Sequence, residues 1–458
     1  MTHSDDNRRP TSAGPSVRIA TLGCKVNQAD SDALAAELGR RGYRIAGSGE
    51  RAAVCVINTC TVTHVADSKA RKLIRRLARD NPGAAVIVTG CYAERAAAEL
   101  ARIPGVARVV PNRDKGNLAR IIEEAASPSE TEASGWASTG PRCARPGSVR
   151  AFLKVQDGCD HRCSYCIVPD VRGPLRSRPM GEVLSEIRAL AAAGAREVVI
   201  CGIRLGAYGE NTHGRGLARL LRATRDTLVA RLRLSSVEPW DVGEELIAEI
   251  AEHALLCPHL HLPLQSGDDG VLRAMGRPYT LADYRALVER LRRAVSDIAI
   301  TTDIMAGFPG ESERAFANTC LAIEEMGFAR AHVFRYSRRP GTRAADMPDQ
   351  VPERVKAERA ARLSELARES ARRFAARLIG RTVPVLFEEY RDGVCTGLTD
   401  TYVSVRAPGD VSLVGQVAGV RVTGVESDHV TGEVVANESA ARTAARAAAS
   451  LTRGRADA

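Results

Sequence analysis

The sequence predicts an α/β protein in three parts: an open parallel sheet flanked by helices, a partial barrel of six β/α units, and a small terminal β-barrel. Three observations carry this expectation. Apolar strand-like runs alternate with amphipathic stretches as far as about residue 378. Beyond that point the pattern switches to short β-branched segments separated by turn residues. At 458 residues the chain exceeds what one hydrophobic core ordinarily supports, so several domains are expected. With hydrophobic residues at 44% and aromatics at only 4%, the core must be built from Ala, Val, Leu and Ile, and disorder throughout is excluded.

In residues 17–126, VRIATL precedes a helix from about Asp30, and VCVIN precedes one from about Asp67. VIVTG then leads into a short helix, and VARVV into KGNLARIIEEA. Such alternation argues a parallel sheet with helices on its faces. Residues 127–148, rich in Ser, Pro, Gly and Thr, form a linker. Residues 149–378 hold six strand candidates, FLKVQ, EVVICG, RLRLSS, HLHLPL, IAITTDIM and AHVFRYS, with helical stretches between them and a trailing helix. Six units make an open barrel, two short of a closed one. In 379–437, TVPVLFEE, VCTGLTD, YVSVRA, GVRVTGVES and HVTGEVVA form the small barrel, and 438–458 is an Ala- and Arg-rich tail.

No run of eighteen apolar residues occurs and the N-terminus is polar, so neither a spanning helix nor a signal peptide is expected, and the protein is expected to be cytoplasmic with no membrane partner. Its twelve cysteines then stay reduced, which favours metal ligation or catalysis over disulfides. The net charge of +10 concentrates in residues 338–381, where twelve Lys and Arg face six Asp and Glu. A solvated basic surface explains this as well as contact with a nucleic-acid backbone does.

The sharpest local signal is QDGCDHRCSYCIVP, with Cys159, Cys163 and Cys166 directly after the first barrel strand. Three thiolates on a 4Fe–4S cluster leave one iron open to an outside ligand. S-adenosylmethionine (SAM) can chelate that iron through its amino and carboxylate groups, which sets its sulfonium beside a reducible cluster. The competing reading is zinc, which needs four protein ligands where only His161 joins the three thiols. Tyr165 packs either against adenine or into the core.

A second triplet is spread along the chain. Cys24, Cys60 and Cys91 each follow a parallel strand by one to three residues, at the carboxyl edge where an open α/β sheet forms its ligand crevice. Glycines before Cys24 and Cys91 suit close approach to a bulky ligand. Cys55 and Cys201 on apolar strands, Cys143 in the linker, and Cys257, Cys320 and Cys395 read as structural thiols.

TLGCKVNQADSD, INTCTVT, TGCYAER and the later C-x3-C-x2-C array together resemble the radical SAM methylthiotransferases over residues 17–436. The terminal barrel resembles a TRAM domain, an RNA-binding barrel. GCKVNQ followed by NTCTVT resembles the branch that modifies threonylcarbamoyladenosine at tRNA position 37. The resemblance implies two 4Fe–4S clusters: one on Cys24, Cys60 and Cys91 that delivers sulfur, and one on Cys159, Cys163 and Cys166 that cleaves SAM. It implies transfer of a methylthio group to carbon 2 of the adenine, in a tRNA anticodon loop. It also implies SAM as methyl donor and radical source, and an electron donor such as flavodoxin or ferredoxin.

GIRLGAYG with Gly202, SSVEP with Glu238, HLHLPLQSG with Gln265, and TTDIMAGFPGE end strands facing the cavity, and Gly202, Glu238 and Gln265 are candidate SAM or substrate contacts. His259 and His261 read as ordinary strand residues facing one side. The chain departs from the family pattern at Asp170, where an aromatic is common, and at Arg335 and Arg338, which replace prolines. Two alternatives stay open: isopentenyladenosine or a ribosomal-protein aspartate as acceptor, and an RNA-binding protein with purely structural metal sites.

Overall fold

The computed structural model describes residues 15–126, 149–209, 214–295, 297–427 and 429–435; the linker at 127–148 with Cys143 and the tail at 438–458 lie outside the described residues. Two compact units divide the chain, and among the described residues the second takes 62–64 and everything from 149.

The first unit runs β1 (Ser16–Thr21), α1 (Lys25–Arg40), β2 (Arg44–Ile45), β3 (Val54–Thr59), α2 (His64–Asp80), β4 (Ala85–Gly90), α3 (Cys91–Arg95), α4 (Ala97–Ala101), β5 (Val106–Val110) and α5 (Leu118–Ala126), and takes all of α2 but its first residue. Its five strands are parallel in the order β2-β1-β3-β4-β5. The central strands are covered on both faces, which explains their unbroken apolar runs. Cys55 and Ile57 pack with Ile74 and Leu77 of α2, while Val54 and Val56 pack with Leu38 and Ile122 on the other side. Two helices start earlier than their periodicity suggests, α1 at Lys25 and α2 at His64. Cys24 is the N-cap of α1 and makes no side-chain cap hydrogen bond, so no Ser, Asp or Asn announces that start. The two-residue β2 is too short to show a period.

The second unit continues with β6 (Arg150–Lys154), β7 (Gln156–Asp157), α6 (Val168–Arg172), β8 (Arg176–Ser177), α7 (Met180–Ala192), β9 (Glu197–Cys201), α8 (Arg215–Ala223), β10 (Arg231–Leu234), α9 (Glu244–Glu252), β11 (His259–His261), α10 (Asp269–Met275), α11 (Leu281–Ala294), β12 (Ala299–Ala306), α12 (Glu313–Met326) and β13 (Arg330–Arg335). Two parallel three-stranded sheets, β6-β9-β10 and β11-β12-β13, are bridged at Ser236 and His261, giving the expected six strands in chain order. Val198, Ile200, Leu232, Leu260 and Ile304 face outward onto Leu217, Ile247, Leu287 and Ile323 of the surrounding helices. HLHLPL is strand only over three residues, and the small antiparallel β7–β8 pair was not expected.

After α13 (Glu353–Ala376), the strands β14 (Thr382–Arg391), β15 (Val394–Thr399), β16 (Ser404–Pro408), β17 (Val417–Val425) and β18 (Val430–Val435) close a five-stranded barrel around Val385, Phe387, Val405 and Val420. It docks on the amino-terminal ends of the first strands of the larger barrel. There Glu197, fully buried, meets Arg150 at 2.8 Å, Arg231 at 2.6 Å and Arg233 at 3.1 Å. Arg231 donates to Leu398 O, and Arg233 to Thr399 O and Asp400 O, at the end of β15. Burial alone would raise the Glu197 pKa, but the three guanidiniums hold it well below the usual carboxylate range.

Glu197→Ala strands three cations in a low-dielectric site, and the expected loss is about 3–5 kcal/mol. Thermal unfolding checks this, and an unchanged midpoint contradicts it. His253 gives a pH signature. Its Nε2 donates to Leu221 O (3.0 Å), its Nδ1 accepts from Leu255 N (3.3 Å), and burial lowers its pKa to about 4. The unfolded chain, with a histidine pKa of about 6.5, binds the proton first. This contribution is therefore complete above about pH 6.5 and is lost as pH falls toward 4. In His253→Asn, chemical denaturation across that range should show a shallower slope.

Candidate functional site: two cysteine triplets

In the first unit, the parallel register pairs Thr21 with Asn58 and Thr59 with Gly90, so the chain leaves three adjacent strands along one edge. Cys24 follows β1, Cys60 follows β3 and Cys91 opens α3. Cys24 is exposed, whereas Cys60 and Cys91 are buried. The glycines here are sterically required. A Cβ on Gly23, at φ +111°, would lie 2.7 Å from Cys60 Cβ, and one on Gly90, at φ +98°, 2.3 Å from Thr59 O. Asn112 Nδ2 donates toward Cys91 Sγ at 3.6 Å.

In the second unit, the loop after β6 is shaped before its first thiol. Gly158 at φ +76° has no room for a Cβ, which would strike Pro174 O. Gln156 donates to Asp157 O and Gly158 O and accepts Arg204 N–H. Arg204 in turn forks onto Asp241 and reaches Asp160 at 2.6 Å. Behind the loop, the buried Arg277 donates to Cys163 Sγ at 3.5 Å and to Glu238 Oε2 at 2.6 Å, with Trp240 beneath its guanidinium at 4.6 Å. His161 Nε2 bonds Gly276 O at 2.8 Å, and the ring also interacts with Cys163.

These contacts divide the three thiols. Burial pushes Cys159 up to about 11 and Cys166 up to about 12. Burial acts on Cys163 as well, yet the His161 hydrogen bond and the Arg277 charge bring it below the ordinary thiol range. Among the described residues no three His, Cys, Asp or Glu side chains meet around one point suited to a single ion. A four-iron cluster makes a different demand, one thiolate at each of several iron corners, and each triplet offers that donor set.

The other candidates take structural positions around the loop. Gly202 is small because a Cβ there would lie 2.9 Å from Gln156 Oε1 and from Leu205 Cα. Tyr165 meets Phe308 edge-on beside Met305 in a small apolar cluster. Gln265, at φ +70°, accepts Met305 N–H and donates its own N–H to Asp303 O, extending the sheet beyond β11. His259 and His261 both bond Thr301 Oγ1 from one face of β11, as strand residues would. Asp170 pairs with Arg162, Arg335 with Glu353, and Arg338 donates to Ala345 O. Cys55, Cys201, Cys257 and Cys395 are buried, while Cys320 is only half-buried. Sequence reading missed Arg277, Asn112 and Lys115. Each is an isolated polar residue with no spacing to mark it, and only folding brings it to a thiol-bearing loop.

A thiol triplet after the first strand of a six-strand partial barrel, preceded by a thiol-bearing parallel sheet, defines a radical SAM protein with an added N-terminal domain. Residues 153–323 match the Radical SAM superfamily, and residues 16–111 match the Uncharacterized protein family UPF0004. The fold is similar to that of the cobalamin- and [4Fe-4S]-bound radical S-adenosylmethionine methyltransferase TsrM from Kitasatospora setae, with a TM-score of 0.55 and 17% identity over 76% of this chain and 84% of that one. The chain is 36% identical over 435 residues to the threonylcarbamoyladenosine tRNA methylthiotransferase MtaB of Bacillus subtilis, covering 89% of this chain and 93% of the relative. It is 38% identical over 418 residues to the tRNA-2-methylthio-N(6)-dimethylallyladenosine synthase of Sphingopyxis alaskensis, covering 88% and 94%. The chain belongs to the tRNA methylthiotransferase family, whose two domains imply SAM and iron–sulfur chemistry.

If Arg277 and His161 together favour the Cys163 thiolate, iodoacetamide should alkylate the metal-free protein at Cys163 at lower pH than at Cys159 or Cys166. Arg277→Met should move that onset upward by peptide mass mapping. Equal onset at all three thiols contradicts the assignment.

Proposed function

We infer that this chain transfers a methylthio group to carbon 2 of N6-threonylcarbamoyladenosine at position 37 of tRNA. The observation that carries the reading is the pair of cysteine triplets, each at the carboxyl ends of parallel strands in its own sheet. Cys24, Cys60 and Cys91 would hold a cluster that carries the sulfur, to be methylated by one SAM, and Cys159, Cys163 and Cys166 would hold the cluster at which a second SAM is cleaved to give the radical that an unactivated aromatic carbon requires.

The protein's own part is to hold and shield. Glu238 and Arg277, paired at 2.6 Å, brace Cys163 from behind. Gln156 and Arg204 fix the approach to Cys159. Tyr165 and Phe308 give the loop an apolar backing. The outward-packed helices leave the inner faces of the strands to enclose the acceptor. The closed terminal barrel has the size and position along the chain of an RNA-binding module, and it is joined to the larger barrel through buried arginines rather than by a tether alone. The electron comes from an external donor such as flavodoxin or ferredoxin.

GCKVNQ and NTCTVT, with the similarity to the B. subtilis methylthiotransferase across nine-tenths of the chain, support threonylcarbamoyladenosine as acceptor. The comparable identity to the S. alaskensis synthase, 38% against 36%, makes N6-dimethylallyladenosine (isopentenyladenosine) the second reading. Nucleoside mass spectrometry of a deletion strain separates them. The first reading expects loss of 2-methylthio-threonylcarbamoyladenosine with its unmethylthiolated precursor retained, and persistence of that nucleoside rules it out. Reconstituted wild-type protein should bind about eight irons, and Cys91→Ala about four.

A further inference from the structure

A polar network ties together the three loops that carry Cys24, Cys60 and Cys91, and its cationic member, Lys115, lies outside all three cysteine motifs. Asn27, one helical turn past Cys24, donates to Leu22 O at 2.8 Å and to Thr59 O at 3.1 Å, the residue before Cys60. Asn58 donates back to Asn27 O at 2.8 Å and to Ser31 Oγ at 3.0 Å. Lys115 joins them from the turn that precedes α5. Its Nζ donates to Asp30 Oδ2 at 2.8 Å, Asn58 Oδ1 at 3.3 Å and Asn112 Oδ1 at 3.4 Å. Asn27, Asn58 and Ser31 are almost fully buried, and the Lys115 and Asp30 side chains are only 17% and 5% exposed.

The chemistry of an ammonium group gives this arrangement a direction. Lysine has three N–H donors and no acceptor, and three side-chain oxygens face it here. An amide facing it must present oxygen. Asn112 is therefore turned with Oδ1 toward Lys115 and Nδ2 toward Cys91 Sγ, 3.6 Å away. Asn58 is oriented in the same way, so its Nδ2 must face Asn27 and Ser31. Asp30, at 2.8 Å, balances the ammonium charge.

We propose that Lys115 is a positioning residue of the N-terminal thiol site, acting through Asn112 to fix a hydrogen bond on the Cys91 sulfur and through Asn58 to keep the Cys24 and Cys60 loops in register. This rests on the reading that Cys24, Cys60 and Cys91 hold an iron–sulfur cluster. A donor fixed on a ligand sulfur stabilises negative charge there, so the pair favours the more reduced state of that cluster.

The test uses the full chain with both clusters reconstituted, SAM, a chemical reductant and tRNA carrying threonylcarbamoyladenosine. Lys115→Met should leave 5′-deoxyadenosine formation at the other triplet intact and lower methylthio product about tenfold or more. In a Cys159→Ala, Cys163→Ala, Cys166→Ala background only the N-terminal cluster remains. There the midpoint potential, followed by electron paramagnetic resonance, should move negative in Lys115→Met. Asn112→Leu should reproduce the shift, and the double variant should add little to either single change, because both act along one path. An unmoved potential, or fully additive effects, overturns the proposal. If Lys115→Met fails to fold, Asn112→Leu carries the same measurement. Cys91→Ala separates the two levels: unchanged iron content sinks the cluster reading, whereas lost iron with an unmoved Lys115→Met potential sinks only the role of Lys115.

Discussion

Parallel strands all end on the same edge of their sheet, and both thiol sites follow from that constraint. Cys24, Cys60 and Cys91 lie far apart in sequence, but each comes immediately after one of three neighbouring strands whose register is set by hydrogen bonds from Val54 to Gly90. The second triplet uses the same edge of a different sheet, just past the β6–β7 segment. Loops crowded onto one edge leave little space, so Gly90 and Gly158 occupy backbone conformations and gaps that no side chain could share.

The opposite ends of the strands carry a different burden. Glu197, Arg231 and Arg150 sit at the starts of β9, β10 and β6, and with Arg233 they form a buried charge cluster that also grips backbone carbonyls of the terminal barrel. Buried ions add little net stability over an apolar core, since desolvation opposes their attraction. Their value here is geometric: a carboxylate surrounded by three guanidiniums has one good arrangement, and that arrangement joins two barrels. The same logic recurs at the Arg204–Asp241, Arg277–Glu238 and Lys115–Asp30 pairs, each of which stands behind a cysteine-bearing loop.

Relatives that bear the names of two different acceptor nucleosides match this chain to a similar extent, 36% and 38% identity. That is the expected result if most of the sequence serves the common work of holding clusters, SAM and RNA. The two acceptors differ only in the group on N6, one anionic and hydrogen-bonding, the other a branched hydrocarbon. Overall identity, which averages over more than four hundred aligned positions, therefore does not separate the two acceptors.

The sequence by itself determined the α/β class, the six-strand partial barrel, the five terminal strands and both cysteine triplets, because periodicity and motif spacing are local properties of the chain. It marked Gly23 and Gly90 as suiting close approach to a ligand, and the structure shows each pressed against the neighbouring loop, at Cys60 and Thr59. It did not reveal where α1 begins, since Cys24 caps that helix without a capping side chain, nor the two-residue strands, which are shorter than any period. The tertiary structure alone decided the surroundings of each thiol. Arg277 reaches Cys163 across 114 residues and Lys115 reaches Asp30 across 85. Charge and hydrogen bonding act through space, so the residues that surround Cys163 and Cys91 become visible only once the strands have brought their loops together.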